Sequence, residues 1–344
     1  MSSSPSLYKC IFQGRLEFGT EKSFNKVYRM VEHQVETYYK NEILFKIEDV
    51  FDAEQSCLNI PRLIAQATEK EFKNTFHLLN YCAEFAISGF MGGWMTNLGK
   101  VLEYGTIEPT GDKVAVQKYL KGKRLSNDPE KLDEAIKALN KAIEKYDRHS
   151  QAYERRGHIN FLLQKFHDAE RDYTKSVTVD PANSSAWFGL AKCKARKGDT
   201  KEAIKALEKV IKNSLALQPI YWKARRVKAE CHIELGEMEA AAFELKLFTK
   251  RKFTEDNPNF KHLKKAFYLY GKVLTHLKNY DEAVLAFEAF AGAPGEVNED
   301  EMSEAYLLLG MAKQQTGRSG FLPDWKQAAA LGSSQAARLL EEHA

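Results

Sequence analysis

A repeat of 34 residues constrains this chain more than any other feature of its sequence. Two adjacent blocks, 150–183 and 184–217, begin 34 residues apart and place similar residues at equivalent positions. Position 4 is aromatic, position 8 is small and position 20 is alanine. These positions hold Tyr153, Gly157 and Ala169 in the first block, and Trp187, Ala191 and Ala203 in the second. A period of this length is typical of solenoids, in which each unit buries its apolar face only against its neighbours.

The two blocks resemble the tetratricopeptide repeat, and weaker copies flank them. One copy spans 115–147, two more begin at Trp222 and Lys264, and a last pair of helices starts near Ser303. The resemblance covers about residues 113–344 and implies an all-α solenoid of about five or six helix pairs. Its last helix, from Trp325 to His343, is interpreted as a polar cap. The family hosts many unrelated partners, so the resemblance implies protein binding without naming the partner.

Residues 1–112 follow a different pattern, which predicts a separate α+β domain. Apolar and polar residues alternate from Tyr8 to Phe18, as in a half-buried strand, and apolar residues then recur at helical spacing from Phe24 to Tyr38. The same reasoning predicts strands at 43–47, 58–64 and 102–106, and a second helix over 72–83. The order strand, helix, strand, strand, helix, strand is compatible with a ferredoxin-like sandwich. This part resembles no family that we can name.

The ends, the apolar stretches and the cysteines exclude several classes of protein. The first ten residues lack a basic region followed by an apolar run, so no signal peptide is expected. The longest apolar stretch, 85–95, is interrupted by glycines and is too short for the roughly 20 residues that a membrane span needs. The five cysteines are scattered without a CxxC pair, which predicts reduced, buried thiols. We therefore expect a cytoplasmic protein that does not insert into a membrane.

No motif in the sequence predicts catalysis, a cofactor or a metal. Gly89, Gly92 and Gly93 lack the Lys-Ser/Thr of a phosphate-binding loop, and tight packing or a helix end explains them better. The nine histidines show no HExxH spacing. Residues 1–112 carry 11 Lys and Arg against 15 Asp and Glu, a balance that opposes nucleic-acid binding. The chain is accordingly predicted to be neither an enzyme nor a nucleic-acid-binding protein.

The rest of the chain is basic, and some of its cations fall on one predicted surface. It carries 40 Lys and Arg against 32 Asp and Glu. By the resemblance, positions 2, 5, 9, 12 and 13 of the first helix in each repeat face the concave groove. Six cations occupy such positions: Lys192, Arg196, Lys223, Arg226, Lys265 and Lys272. They predict a groove that attracts an acidic protein segment, with ordinary solvation of the helix faces as the alternative.

Two other interpretations of the chain remain open at this stage. Residues 1–112 could be an enzyme or a ligand-sensing domain, with the repeats as its targeting arm. Alternatively, this domain docks onto the repeats and caps them. The pattern by which one subclass of these repeats binds chaperone tails is matched only at Lys223, so that function is not expected. The sequence does not define the oligomeric state.

Overall fold

The computed structural model describes residues 6–343. The chain divides into two compact units, Met1–Leu190 and Ala191–Ala344. The first unit contains a β-sheet followed by helices, and the second is helical. The first half of the segment MSSSPSLYKC, in which no signal peptide was expected, lies outside the described residues.

An antiparallel sheet of five strands forms the amino-terminal part of the first unit. The strands are β1 (Tyr8–Glu17), β2 (Phe51–Asp52), β3 (Cys57–Ala67), β4 (Ser88–Asn97) and β5 (Lys100–Ile107). Their order across the sheet is β2-β3-β1-β4-β5, and all neighbours are antiparallel. In the sheet, β3 lies between β1 and β2, which are joined in the sequence by a helical segment. Such a split β-α-β unit is typical of ferredoxin-like folds. The predicted α+β class is therefore confirmed, with β5 added at one edge.

Two long helices cover this sheet and close its core. Helix α1 (Glu21–Thr37) begins at Thr20, whose side chain accepts a hydrogen bond from the Ser23 amide. Helix α3 (Glu69–Phe85) begins with a capping box between Thr68 and Glu71. The core between helices and sheet is one apolar cluster whose largest completely buried side chains are Phe12, Phe18, Phe72, Leu16, Leu58, Leu78 and Leu79.

The prediction of a strand at 43–47 is wrong. Ile43 and Phe45 lie in a loop and pack against the apolar core, and Ile47 begins the short helix α2 (Ile47–Val50). The Leu44 amide between them donates to the Thr75 hydroxyl of α3 at 3.0 Å instead of joining a strand. The alternation there reflects packing onto the core, and the second strand is formed by Phe51–Asp52.

The glycine-rich segment forms β4, a strand that the sequence pattern did not predict. Gly89 has a φ of +127°, and a Cβ atom there would lie 2.2 Å from the Arg15 carbonyl oxygen of the neighbouring strand. A Cβ at Gly93 would lie 2.7 Å from the Phe12 ring. Tight packing is thus confirmed as the role of these glycines, and the helix-end alternative is wrong.

From Val114 to Ala330, the described residues form six consecutive helix pairs. The pairs are α4 (Val114–Leu125) with α5 (Leu132–Lys145), α6 (Ser150–Leu162) with α7 (Phe166–Val179), α8 (Ser184–Arg196) with α9 (Thr200–Asn213), α10 (Pro219–Glu234) with α11 (Met238–Lys250), α12 (Leu263–His276) with α13 (Tyr280–Gly292), and α14 (Glu299–Gln315) with α15 (Phe321–Ala330). The segment predicted as one last helix from Trp325 to His343 is instead the end of α15 followed by α16 (Ser334–Glu342). The two helices are separated at Gly332, whose φ is +95°.

The packing within the helix pairs agrees with the repeat positions that the sequence predicts. A glycine at position 8 of the repeat, in its first helix, faces the aromatic ring at position 24 of the same repeat, in its second helix. A Cβ at Gly157 would lie 3.2 Å from Tyr173, and one at Gly271 would lie 2.6 Å from Phe287. Small residues at position 8 therefore let the two helices approach closely enough for the ring to fill the space between them.

Within the first unit, the sheet contacts the helices that follow it. The Tyr146 hydroxyl, after α5, donates to Glu17 at 3.2 Å, and Glu17 also pairs with Arg15 at 2.7 Å. The Gly89 amide of β4 donates to the Gln151 side chain of α6 at 3.2 Å. These contacts support the docking interpretation. The domain boundary predicted at residue 112, between β5 and α4, stays a prediction.

Candidate partner-binding surface

In the second unit, α10, α12 and α14 are the first helices of successive pairs, and α12 packs against α14. We define the A-helix surface as the exposed side of the α8 residues from Ala191 onward and of α10, α12 and α14. The six cations predicted from the sequence lie on three of these helices: Lys192 and Arg196 on α8, Lys223 and Arg226 on α10, and Lys265 and Lys272 on α12. Arg196, Lys223 and Lys272 are exposed, and the other three are half-buried. Whether all six bind one partner stays a prediction.

The two cations of α12 are paired with acidic residues of α14. Lys265 forms an ion pair with Glu301, and the Lys272 Nζ lies 2.9 Å from Glu304 Oε1. Each pair is partly exposed, so solvent screens it. The sequence analysis did not foresee these carboxylates, which reduce the positive field at this end of the A-helix surface.

Tyr268 links the two pairs on α12. Its hydroxyl donates to Glu304, and the Lys265 Nζ lies 5.0 Å from the centre of its ring. Burial alone would raise the pKa of Glu304, but hydrogen bonds from Tyr268 and Lys272 hold that pKa below its ordinary value. The carboxylate therefore stays ionised at neutral pH and keeps Lys272 neutralised.

The cations of α10 lie in a different environment. Arg226 pairs with Glu230 of the same helix at 2.5 Å. Burial, together with the charges of Arg226 and Lys261, lowers the pKa of Lys223. Like charges therefore repel one another here. The sequence analysis did not place Lys261 near these cations, because this residue belongs to a 3-10 turn before α12 and has no position on a first helix.

A comparison with protein families identifies part of the helical region. The tetratricopeptide-repeat family model matches residues 163–214 and 194–245. These matched residues carry tetratricopeptide repeats. A search of curated proteins gives no match. The sheet of the first unit lies outside the residues that the family model matches.

Solved tetratricopeptide-repeat structures share the fold of the array. YrrB is 16% identical, with a TM-score of 0.50, and the match covers 60% of this chain and 99% of YrrB. The pilF protein of Pseudomonas aeruginosa is 13% identical, with a TM-score of 0.50, and the match covers 68% of this chain and 99% of that protein. At these identities, the likeness shows the fold alone.

Other groups that the sequence analysis weighed have structural explanations. All five cysteines are buried thiols, and burial raises the pKa values of Cys10 and Cys231 to about 11 and those of Cys57 and Cys82 to about 12. Such thiols are poor nucleophiles at neutral pH. Between residues 6 and 343, no three His, Cys, Asp or Glu side chains are grouped as metal ligands. No helix in the same range has the length and apolar character that crossing a membrane requires.

Proposed function

We propose that this chain is a protein-interaction scaffold that binds an acidic partner segment on the A-helix surface of its repeats. The observation that carries the proposal is the placement of six cations on three consecutive first helices, α8, α10 and α12. Charges of one sign on neighbouring helices add their fields and raise the local concentration of an oppositely charged segment.

The cations do not contribute equally to this attraction. Lys265 and Lys272 are opposed by Glu301 and Glu304, so their fields are largely cancelled at a distance. The attraction is therefore strongest at α8 and α10. Partial burial, together with the charges of Arg226 and Lys261, already lowers the pKa of Lys223 on α10, so an arriving carboxylate relieves an unfavourable interaction there in addition to gaining a new one.

The fold of the array and of the sheet domain supports a binding role. YrrB, which shares the fold, has a peptide-binding site. In the first unit, the space between sheet and helices is a filled apolar core, which the scaffold interpretation expects. An enzyme or ligand sensor in residues 1–112 is the alternative. This alternative requires titratable groups that converge in a pocket of that domain. A cavity of about 720 Å³ beside α1 and α2 is open, and side chains such as Glu32, Glu36 and Lys46 line it.

Charge reversal on α10 tests the proposal. Lys223→Glu with Arg226→Glu should lower the association rate of a labelled decaglutamate peptide about tenfold or more at low salt, as expected for electrostatic steering. Addition of 0.15 M salt, which shortens the Debye length to about 8 Å, should reduce the difference between variant and parent. Stopped-flow fluorescence measures the rate, and thermal unfolding checks that both proteins are folded.

Lys205→Glu with Lys209→Glu is the matched control, because both residues are exposed on α9, the second helix of its pair. This variant should bind as fast as the parent. If both pairs of reversals slow binding equally, attraction comes from overall charge. If neither pair of reversals slows binding, the cations of the A-helix surface are only solvated and do not attract an acidic segment.

A further inference from the structure

The cavity beside α1 and α2 combines an apolar floor with a charged rim. The side chains of the floor are buried or half-buried, and they come from α1, the loop after it, α2 and β3: Tyr28, Val35, Ile43, Leu44, Phe45, Ile47, Val50 and Leu63. Because Ile43 and Phe45 are only half-buried, the floor is accessible to a ligand. The volume of about 720 Å³ lies within the range of about 300–1,000 Å³ that is typical of ligand pockets.

Hydrogen bonds fix the loop that forms one side of this cavity. The Asn41 amide donates to the carbonyl oxygen of Val35 in α1 at 3.0 Å. The Leu44 amide donates to the hydroxyl of Thr75 in α3, also at 3.0 Å. The loop is thus attached to both long helices of the domain. A ligand that enters the cavity therefore pays little for ordering it.

The charges on the rim are mostly negative. Four exposed carboxylates and one exposed ammonium group line the cavity, which gives a net charge of −3: Glu32, Glu36, Glu48, Asp49 and Lys46. None of the four carboxylates forms an ion pair with another side chain among residues 6–343. Glu32 and Glu36 lie four residues apart on α1, a spacing at which like charges repel one another. A ligand that carries positive charges would relieve this repulsion.

The strand beside the cavity favours a peptide as the ligand. Leu63 of β3 lines the cavity, whereas β2 pairs with β3 only at Cys57 and Leu58. On the β2 side, the rest of β3 has no strand partner among residues 6–343, so its backbone is open to an extended segment. We propose that the cavity binds a partner segment in which apolar side chains lie between lysines or arginines. The apolar side chains cover the floor, and the cations meet the carboxylates of the rim.

Methyl NMR of the full chain tests this binding with defined peptides. The probe is acetyl-Lys-Leu-Leu-Lys-amide, and the comparison peptides are acetyl-Glu-Leu-Leu-Glu-amide and acetyl-Lys-Ser-Ser-Lys-amide, all at constant ionic strength. Ile43→Val and Ile47→Val assign the two isoleucine signals of the cavity. The probe should shift both signals saturably. Each comparison peptide should bind at least about tenfold more weakly, because the first has the wrong charge and the second lacks the apolar contact.

Paired variants test whether the carboxylates of the rim recognise the probe. Glu32→Gln with Glu36→Gln should weaken its binding about tenfold or more, because two of the four carboxylates are lost while the floor is unchanged. Glu84→Gln with Glu103→Gln is the matched control, since these exposed residues lie on α3 and β5 and do not line the cavity. The control changes the net charge equally and should bind the probe as the parent does.

Three outcomes would contradict the proposal. An unsaturable shift would mean that the cavity holds no ligand of this kind, and equal weakening in the two double variants would mean that only overall charge attracts the probe. L-leucinamide presents one apolar side chain and one positive charge on a single residue. If it binds as tightly as the probe, the ligand is a small amine and the assignment to a peptide segment is wrong. These measurements do not involve decaglutamate or the A-helix surface, so the proposed function is tested separately.

Discussion

The repeats contain ion pairs both between the two helices of one pair and on the A-helix surface. The two kinds of ion pair differ in burial. Within the α6–α7 pair, Arg156 binds both carboxylate oxygens of Asp172 at 2.9 and 2.6 Å, and the Asp172 side chain is 1% exposed. Across the A-helix surface, Lys272 and Glu304 pair at 2.9 Å with side chains 47% and 37% exposed. The distances are alike, but removal from water makes the first pair costly to break and screening makes the second one weak.

The buried kind recurs in the second unit. Lys228 of α10 lies 3.2 Å from Glu244 of α11, whose side chain is 5% exposed. Counted from the starts of their repeats, Lys228 and Glu244 occupy positions 7 and 23, as Arg156 and Asp172 do. A charge between the two helices of a pair thus belongs to the fold. A charge on the A-helix surface contributes little to the fold and remains available to a partner.

The largest effect is expected from breaking the buried pair on one side. Arg156→Met leaves Asp172 buried with the Asn160 amide, 3.0 Å away, as its remaining donor. This should cost about 3–5 kcal/mol of unfolding free energy. Urea unfolding followed by circular dichroism measures the loss. Arg156→Met combined with Asp172→Leu should recover most of it, because an apolar pair removes the uncompensated charge. A loss below about 1 kcal/mol in the single variant would show that the burial of the pair is unimportant.

A second buried group makes stability depend on pH. His149 is 1% exposed and accepts a hydrogen bond from the Ala152 amide through Nδ1 at 3.3 Å. Burial lowers the pKa of its imidazole from 6.5 to about 3. Between these values the unfolded chain binds a proton that the folded chain does not. Stability from this group is therefore complete above pH 6.5 and falls by about 1.4 kcal/mol for each unit of pH below it.

Replacement of His149 by Asn tests this dependence, because Asn retains a helix-capping acceptor and does not titrate. At pH 4.5, the parent should have lost about 2–3 kcal/mol more than His149→Asn, each relative to its own stability at pH 7.5. Unfolding curves at the two pH values give the difference. Parallel pH profiles would mean that the imidazole is solvated in the folded protein.

The third prediction asks whether the two units share the same repeat packing. Ala169 in the first unit and Ala203 in the second both occupy position 20, and both are completely buried. Replacement of either by Leu overpacks the contact between the two helices and should cost about 1–3 kcal/mol in each unit. Thermal and urea unfolding of the two variants provide the measurement. A cost in one unit and none in the other would show that the repeats are packed differently.

The sequence predicted the repeats well because their packing is local. A small residue at position 8 and a ring at position 24 of the same repeat decide how two adjacent helices meet, as Gly157 and Tyr173 show. The sheet was predicted less completely because its packing joins distant residues. Strand β4 is too rich in glycine to show alternation, and its glycines make sense only beside Phe12 and the Arg15 backbone.

The candidate site shows the same division. The period predicted which cations lie on α8, α10 and α12, since that depends on the register within each helix. It did not predict that Glu301 and Glu304 of α14 pair with the cations of α12, or that the turn before α12 is bonded to α10 through Asn259. Those contacts depend on distances between helices and on a turn that has no repeat position.

The smallest effect on stability is expected from removing one charge of an exposed pair. The same change should speed the binding of an acidic peptide. Glu304→Gln removes the charge that opposes Lys272 but retains an acceptor for Tyr268. The pair is more than a third exposed, so the unfolding free energy should change by less than about 1 kcal/mol. The association rate of decaglutamate should rise about two- to threefold at low salt, because one opposing charge is lost from the A-helix surface.

Glu208→Gln is the matched control, since Glu208 lies on α9 and is also exposed. This variant should leave the association rate unchanged. If Glu304→Gln destabilises the protein as much as Arg156→Met does, or if the two Gln variants change the rate equally, burial does not separate charges that build the fold from charges that meet a partner.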